Sequence, residues 1–419
     1  MLVQFNFKNF KSYKYEVSLD MKATSVKEHP YNVIDKGHSE SYLKVAAIYG
    51  ANASGKTGVI DAFDFMRYFV LESFQMASQT KEIPIKRFAF DKSGKDAVSE
   101  FEVFFVKDGM EYQYGFIIDD KKVHGEWLYN KEVGNRKKFK ILFERKNKNI
   151  NCSESLKNAR ELVNMIEEKT LFLSFISNAR IDEAKTVNDW FTETKVMDFG
   201  HIVKSFFAGH SWMLNVENLK NEKYKEELEK FLKAVDVGIE GISIEEFKDI
   251  FYREGEKGIR VFCKHKDIND DTYQKIPLDD ESSGTQKLFV LYKYLMDCLR
   301  EGKTLFVDEL DAKLHPLLLR YIINMFHNPE INKSGGQLIY TTHDTCTLTK
   351  ETFRRDQIWF TEKNEFGVSS LYSLAEYKLD DDKKVRNDAS YSKDYLSGRY
   401  GAVPLLKEFG FLGGQQFGK

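Results

Sequence analysis

The stretch YGANASGKT, Tyr49 to Thr57, decides how the rest of the chain is read. Gly50, four residues, then Gly55-Lys56-Thr57 complete the spacing of a phosphate-binding loop. Glycines let the backbone curl until successive N–H groups, here those around Asn52, Ala53 and Ser54, face one anion. Lys56 has the reach for the β- and γ-phosphates, and the Thr57 hydroxyl suits Mg²⁺. Upstream, LKVAAIYG (43–50) is a short apolar run ending in glycine, a buried strand. Downstream, Val59, Ile60, Phe63, Met66, Phe69 and Val70 recur at helical spacing, and the helix adds its positive N-terminal end. The bare pattern arises by chance in roughly one or two unrelated chains per hundred, so this strand–loop–helix context is what gives it weight.

Bulk properties bound the remaining options. With 419 residues the chain can bury a large core, in roughly two to three domain-sized units. A formal net charge of −2 excludes a wholesale polyanion binder while leaving room for a local basic patch. Cys152, Cys263, Cys298 and Cys346 are far apart and form no CxxC pair, which excludes a zinc ribbon and a disulfide scaffold. That usage fits a reducing cytoplasm. MLVQFNFKNF lacks the pattern of a signal peptide, and no apolar run approaches about 20 residues. The expectation is a cytosolic chain without a membrane span.

The texture of the chain divides it into three. Residues 1–150 are expected to form an N-terminal lobe holding the phosphate loop and an antiparallel meander. Val3, Phe5 and Phe7 alternate with polar residues as a half-buried strand, which SYKYEVSLDM is expected to join. SEFEVFFVKDGMEYQYGFIIDDKKVHGEWLY reads as three strands with turns at Lys107-Asp108-Gly109 and Asp119-Asp120. Residues 151–240 read as a helical insertion, since ESLKNARELVNMIEE and NEKYKEELEKFLKAV are charged and amphipathic. Residues 241–419 return to strands and helices, with KTLFVDE and GQLIYTTH as short buried strands around helix LHPLLLRYIINMF. That alternation implies an α/β fold with a parallel sheet and right-handed crossovers.

Three later stretches suggest what happens to a bound phosphate. In TLFVDELDAKLHP a strand delivers Asp308 and Glu309 to its carboxyl end, where such sheets bind ligands. Asp308 is expected to hold Mg²⁺ and Glu309 to polarise the attacking water. The plainer reading is an acidic helix start. His343, in YTTHD, follows another buried strand, as a γ-phosphate sensor would; a lone histidine is more often structural or merely exposed. In DDESSGTQKLF, Ser283 and Gly284 open an amphipathic helix, either as an anion site or as an ordinary N-cap.

Phosphate loop, Ser-Gly helix start, Asp-Glu strand end and histidine together resemble the ABC-type ATPases. Ser283, Gly284 and Gln286 match the Leu-Ser-Gly-Gly-Gln signature, while Ser282 and Thr285 depart from it. GANASGKT, the FKNFKSY strand and DELDAKLHP look like the branch of SMC, RecF and OLD proteins. The meander and the tail DYLSGRYGAVP resemble the stand-alone AAA-type ATPases of phage-defence and abortive-infection operons, of the RloA and AbiL type. The resemblance implies a P-loop ATPase head with a mixed, largely parallel sheet, an antiparallel β-lobe and a helical insertion. It implies ATP and Mg²⁺, and a homodimer in which the Ser283-Gly284 end and Asp311 of one copy complete the site of the other, with higher oligomers open. It further implies a nucleotide-driven switch over a separately encoded effector, a nuclease of Toprim or HNH type. About 75 residues follow His343 without an acidic metal cluster, so no nuclease activity is expected in this polypeptide. The alternative is a RecF- or SMC-like DNA-repair ATPase coupled to DNA binding. No Asn-Lys-x-Asp guanine motif is present.

Other residues carry weaker signals. Lys11 and Ser12 lie near the nucleotide by family analogy, or at a plain surface strand end. The basic stretch RKKFKILFERKNK (136–148) suits nucleic-acid phosphates or a solvated hairpin. Gln75 and Gln79 are the candidates for a glutamine of the Q-loop. Arg399 could reach a phosphate or a partner, or simply cap a helix.

Overall fold

Every residue from Val45 to Gly50 is buried, because this strand lies inside a sheet covered on both faces. The computed structural model describes residues 1–35, 40–91, 97–135, 138–201, 218–235, 238–247, 258–378, 385–386 and 389–404. In chain order the strands are β1 (Leu2–Lys8), β2 (Val17–Asp20), β3 (Val33–Ile34), β4 (Tyr42–Leu43), β5 (Val45–Gly50), β6 (Ser99–Lys107), β7 (Met110–Ile118), β8 (Val123–Glu132) and β9 (Lys140–Lys146). There follow β10 (Asn149–Cys152), β11 (Lys195–Asp198), β12 (Ile239–Phe247), β13 (Gly258–Lys266), β14 (Tyr273–Pro277), β15 (Thr304–Asp308), β16 (Gln337–Thr341), β17 (Ile358–Lys363) and β18 (Ser369–Ser373). The α-helices among the described residues are α1 (Lys56–Met76), α2 (Phe172–Asn178), α3 (Asp182–Glu193), α4 (Glu222–Val235), α5 (Ser283–Glu301), α6 (Pro316–His327) and α7 (Tyr391–Leu396).

The central sheet has the order β11-β15-β16-β5-β17-β18, parallel except for the last pair. Alternate side chains of its strands enter different cores, as a period of two requires. Val45, Ala47, Tyr49, Leu305, Val307, Leu338 and Tyr340 join one core with α5 and α6. Ala46, Ile48, Phe306 and Ile339 join the other, with α1 and the inner face of a second sheet. Phe63 of α1 stacks on Phe306 at 4.0 Å between ring centroids.

That second sheet has seven strands, β10-β9-β8-β7-β6-β1-β2, every pair antiparallel. The expected turn between β6 and β7 places Asp108 and Gly109 at φ 50° and 76°, the conformation of a type I′ hairpin. A three-stranded sheet, β12-β13-β14, precedes α5. No helix of the described residues is long and apolar enough to cross a membrane.

The stretch 151–240, expected as a helical insertion, holds other elements beside its helices. Glu154–Met165 is a 3₁₀ helix with a break at Leu156, and α2 and α3 join the core against α1. Lys195–Asp198 is a strand, pairing in parallel with β15 from Lys195 opposite Leu305 to Asp198 opposite Asp308. A four-residue edge strand takes its hydrogen bonds from a partner more than a hundred positions away, so local patterning carries little trace of it.

Candidate functional site

The phosphate loop closes on two glycines that no larger residue could replace without moving its neighbours. A Cβ on Gly50 would sit 2.5 Å from the Thr361 carbonyl and hydroxyl oxygens and 2.6 Å from the Ser54 hydroxyl. Gly55 has φ 123°, and a Cβ there would meet the Ser369 hydroxyl at 2.7 Å and the Tyr13 hydroxyl at 2.8 Å. Ala53 is also left-handed, at φ 60°, while Asn52 and Ala53 face outward. Lys56 opens α1 and is buried, its Nζ donating to the Gly50 and Ala51 carbonyls at 2.9 and 3.1 Å. Burial pushes its pKa down to about 8, opposed by the charges of Asp308, Asp311 and Glu309. An anion entering the loop would favour its charged form.

Three parallel strands end together here. β15 delivers Asp308 and Glu309, β16 delivers Thr341 to His343, and β5 delivers the loop. Burial raises the Asp308 pKa, while the Thr341 hydroxyl, which donates to its carboxylate, and the nearby Thr57 hydroxyl oppose that rise. Glu309 is left-handed at φ 53°, and its N–H donates to the Thr341 hydroxyl at 2.8 Å. Asp311 Oδ2 accepts the His343 N–H at 3.1 Å, and Asp311 Oδ1 is buried without a hydrogen-bond partner among the described residues. Desolvation and the Lys56 ammonium lower the pKa of the His343 ring, so it favours the neutral form.

The Ser-Gly stretch begins α5, with both alternatives visible in it. Ser282 is the N-cap, its hydroxyl accepting the Thr285 N–H at 3.1 Å. Ser283 and Gly284 are half-buried at the helix start, and a Cβ on Gly284 would lie 3.4 Å from the Lys313 carbonyl oxygen. Gln286 turns inward, donating to the Asp279 and Glu281 carbonyls at 2.9 Å each. Asp311 lies two residues before Lys313, between this helix start and His343.

Lys11 and Ser12 lie against the loop's own elements. Lys11 pairs with Asp61 of α1, and its N–H donates to the Lys86 carbonyl at 2.6 Å. The Ser369 hydroxyl bridges the Ser12 hydroxyl at 2.8 Å and the Ser54 carbonyl at 2.7 Å. Tyr13 donates to the Gly55 carbonyl at 3.0 Å. At the tail, the Ala402 carbonyl accepts the Ala51 N–H at 2.9 Å, while Arg399 pairs with Asp394 at 3.0 Å. Gln75 and Gln79 are not brought to the site. Gln75 is in the last turn of α1, roughly 30 Å along the helix from Lys56 at 1.5 Å per residue, and Gln79 lies beyond it. In the basic stretch, Lys138, Lys140, Lys146 and Lys148 are exposed, whereas Arg145 is buried 3.7 Å from Glu126. Arg136 and Lys137 lie outside the described residues.

Sequence reasoning missed Tyr13, Thr341, Thr361 and Ser369, which brace the motifs from other elements. It also missed the end of β11, where Asp198 and Gly200 stand beside Glu309. The run KVMDFGH does carry a signal, two apolar residues followed by Asp-x-Gly, but it is hidden among helical stretches. Together, the glycine cradle, the buried lysine and the Thr57–Asp308 pair fit a nucleoside triphosphate with Mg²⁺.

A family model described as "AAA domain, putative AbiEii toxin, Type IV TA system" matches residues 45–348, from β5 to just past His343. Among solved structures, an Smc head bound to the C-winged-helix domain of ScpA aligns with a TM-score of 0.44 and 15% identity, covering 89% of this chain and 97% of that one. The recombination mediator RecF with ATPrS aligns with a TM-score of 0.32 and 13% identity, covering 88% of this chain and 98% of that one. At these levels the two alignments add no functional argument. No curated protein matches the chain.

Proposed function

The chain belongs to this AbiEii-type AAA-domain family, and from that premise we propose that it binds and hydrolyses ATP as a dimeric switch in anti-phage defence, controlling a separately encoded effector. The observation that carries the nucleotide reading is the setting of Lys56. Its buried ammonium lies within the field of Asp308, Glu309 and Asp311, and the Thr57 hydroxyl lies beside the Asp308 carboxylate.

Loop amides beyond Ala51 and the N-terminus of α1 bind the phosphates, and Lys56 neutralises their charge. Thr57 and Asp308 would hold Mg²⁺, which when bound supplies further charge neutralisation. Glu309 orients water and accepts its proton, and His343 contacts the terminal phosphate. The half-buried Ser283-Gly284 helix start offers N–H groups to a second copy's nucleotide, which supports a shared site. Loss of the terminal phosphate then removes the charge that joins the two heads. The effector is proposed to be a nuclease of Toprim or HNH type.

The test is Glu309→Gln. It should bind ATP, hydrolyse it about 10²-fold or more slowly, and accumulate nucleotide-dependent dimers in light scattering. Parental turnover in this variant would remove Glu309 as the base, and ATP-independent mass would remove the shared site. Among the described residues, a DNA-coupled reading is favoured by the exposed Lys138 before β9 and by Lys140, Lys146 and Lys148 along the β9–β10 hairpin. It requires duplex DNA to stimulate ATP hydrolysis with a steep salt dependence.

A further inference from the structure

The segment after β11 stands against the hydrolytic carboxylate. Asp198 is opposite Asp308 across the parallel pair, and the Phe199 N–H extends the ladder by donating to the Asp308 carbonyl at 3.0 Å. The next residue, Gly200, lies against Glu309. A Cβ on Gly200 would sit 2.5 Å from Glu309 Oε2, 3.3 Å from its Cδ and 3.2 Å from Asp198 Oδ1. Asp198 is itself engaged. Its Oδ1 accepts the His201 N–H at 3.1 Å, and its Oδ2 lies 3.0 Å from His201 Nδ1. Lys287 of α5 donates to the Phe199 carbonyl at 2.5 Å and to the Ala312 carbonyl at 3.1 Å, with its ammonium 4.5 Å from the Phe199 ring centroid.

We infer that Asp198-Phe199-Gly200-His201 is a positioning wall for Glu309: Gly200 provides the space in which the carboxylate stands, the Asp198–His201 pair braces that wall, and Lys287 ties it to the helix start carrying Ser283. The inference rests on Glu309 being the base. The Glu309 backbone is fixed by Thr341, but a glutamate side chain has several rotamers, and only a second surface can select one of them. Gly200 is not in the left-handed region, so its backbone does not demand glycine. Space is what it supplies. The nearest atom to an added methyl is the tip of a flexible carboxylate, which can swing away while the fold stays intact. A base displaced by about 1 Å loses on the order of 10² in rate. Lys287 gives the wall a mechanical link to α5, so docking of a partner on Ser283 would be felt at Glu309.

The decisive variant is Gly200→Ala, measured beside Glu309→Gln and the parent. The expected result is a kcat about tenfold or more below parent with KM for ATP and melting temperature nearly unchanged, a split that a purely structural glycine would not produce. A crystal structure of the unliganded variant should show the Glu309 carboxylate displaced. A double-mutant cycle adds a second readout. In Glu309→Asp the shorter side chain withdraws from position 200, so adding Gly200→Ala should cost little more. If Gly200→Ala melts early, isosteric Asp198→Asn takes its place, with a several-fold fall in kcat at unchanged KM expected. Parental kcat in the well-folded position-200 variant, or in the position-198 variant used in its stead, with Glu309→Gln inactive, would overturn the wall while leaving the base in place. Full turnover in Glu309→Gln would instead overturn the base, and the wall with it.

Discussion

Thr341 holds Glu309 by the backbone: its hydroxyl accepts the Glu309 N–H at 2.8 Å and gives its own proton to Asp308. One buried side chain thereby fixes both acids at the end of β15, from the neighbouring strand β16. Thr341→Val keeps the shape and removes both bonds. It leaves a backbone donor without its partner, at about 1–3 kcal/mol of stability. Hydrolysis should fall about tenfold or more, whereas Thr341→Ser should retain most of it. Steady-state kinetics beside urea unfolding separate the two effects, and a valine variant with parental kcat would contradict this role.

Lys56 illustrates a conflict between binding and stability. Its folded pKa of about 8 lies below that of a free lysine, so between these values the unfolded chain holds a proton that the folded chain has released. Stability in the absence of nucleotide therefore rises with pH across that window. Lys56→Met should be more stable than the parent at pH 7, by up to about 3 kcal/mol before its two lost hydrogen bonds are counted. The gap should close as pH rises from about 8 to about 10.5, while nucleotide binding is lost at every pH. Urea titrations across this range provide the check, and a gap that does not change with pH would refute the argument.

Glu126 is fully enclosed in the β-lobe. Its carboxylate accepts the Phe172 and Leu173 N–H groups at 2.6 and 2.9 Å and the Tyr114 hydroxyl at 3.0 Å, with Arg145 at 3.7 Å. Glu126→Ala would leave Arg145 charged and unpaired in the interior and the start of α2 without its acceptor. A loss of about 3–5 kcal/mol is expected. Replacing Glu126 and Arg145 together by apolar residues of similar size should cost less, and equal losses for the single and double changes would argue against the pairing.

The tail braces the phosphate loop through one backbone bond, from Ala51 N–H to the Ala402 carbonyl. Tyr395 stacks on Phe360 at 5.2 Å and donates to the same Ala402 carbonyl at 3.2 Å, while Tyr372 donates to the Tyr400 carbonyl at 2.7 Å. A chain ending before Ser390 should bind ATP about fivefold or more weakly, the equivalent of one net hydrogen bond of ~1 kcal/mol. Calorimetric titration on protein whose fold is verified by circular dichroism measures this, and unchanged affinity would show that the tail only covers the core.

What the sequence determined by itself is the set of local signals: the loop from Gly50 to Thr57, the strand ends at Asp308 and Thr341, the hairpin at Asp108-Gly109 and the amphipathic α5. Each is legible because strand period, helix period and turn chemistry are properties of neighbouring residues. The tertiary structure alone decided which strand lies beside β15, and with it the approach of Gly200 to Glu309, of Ser369 to Ser54 and of Ala402 to Ala51. Those relationships join residues more than a hundred positions apart, and the backbone hydrogen bonds and close packing that create them exist only once the sheets have formed.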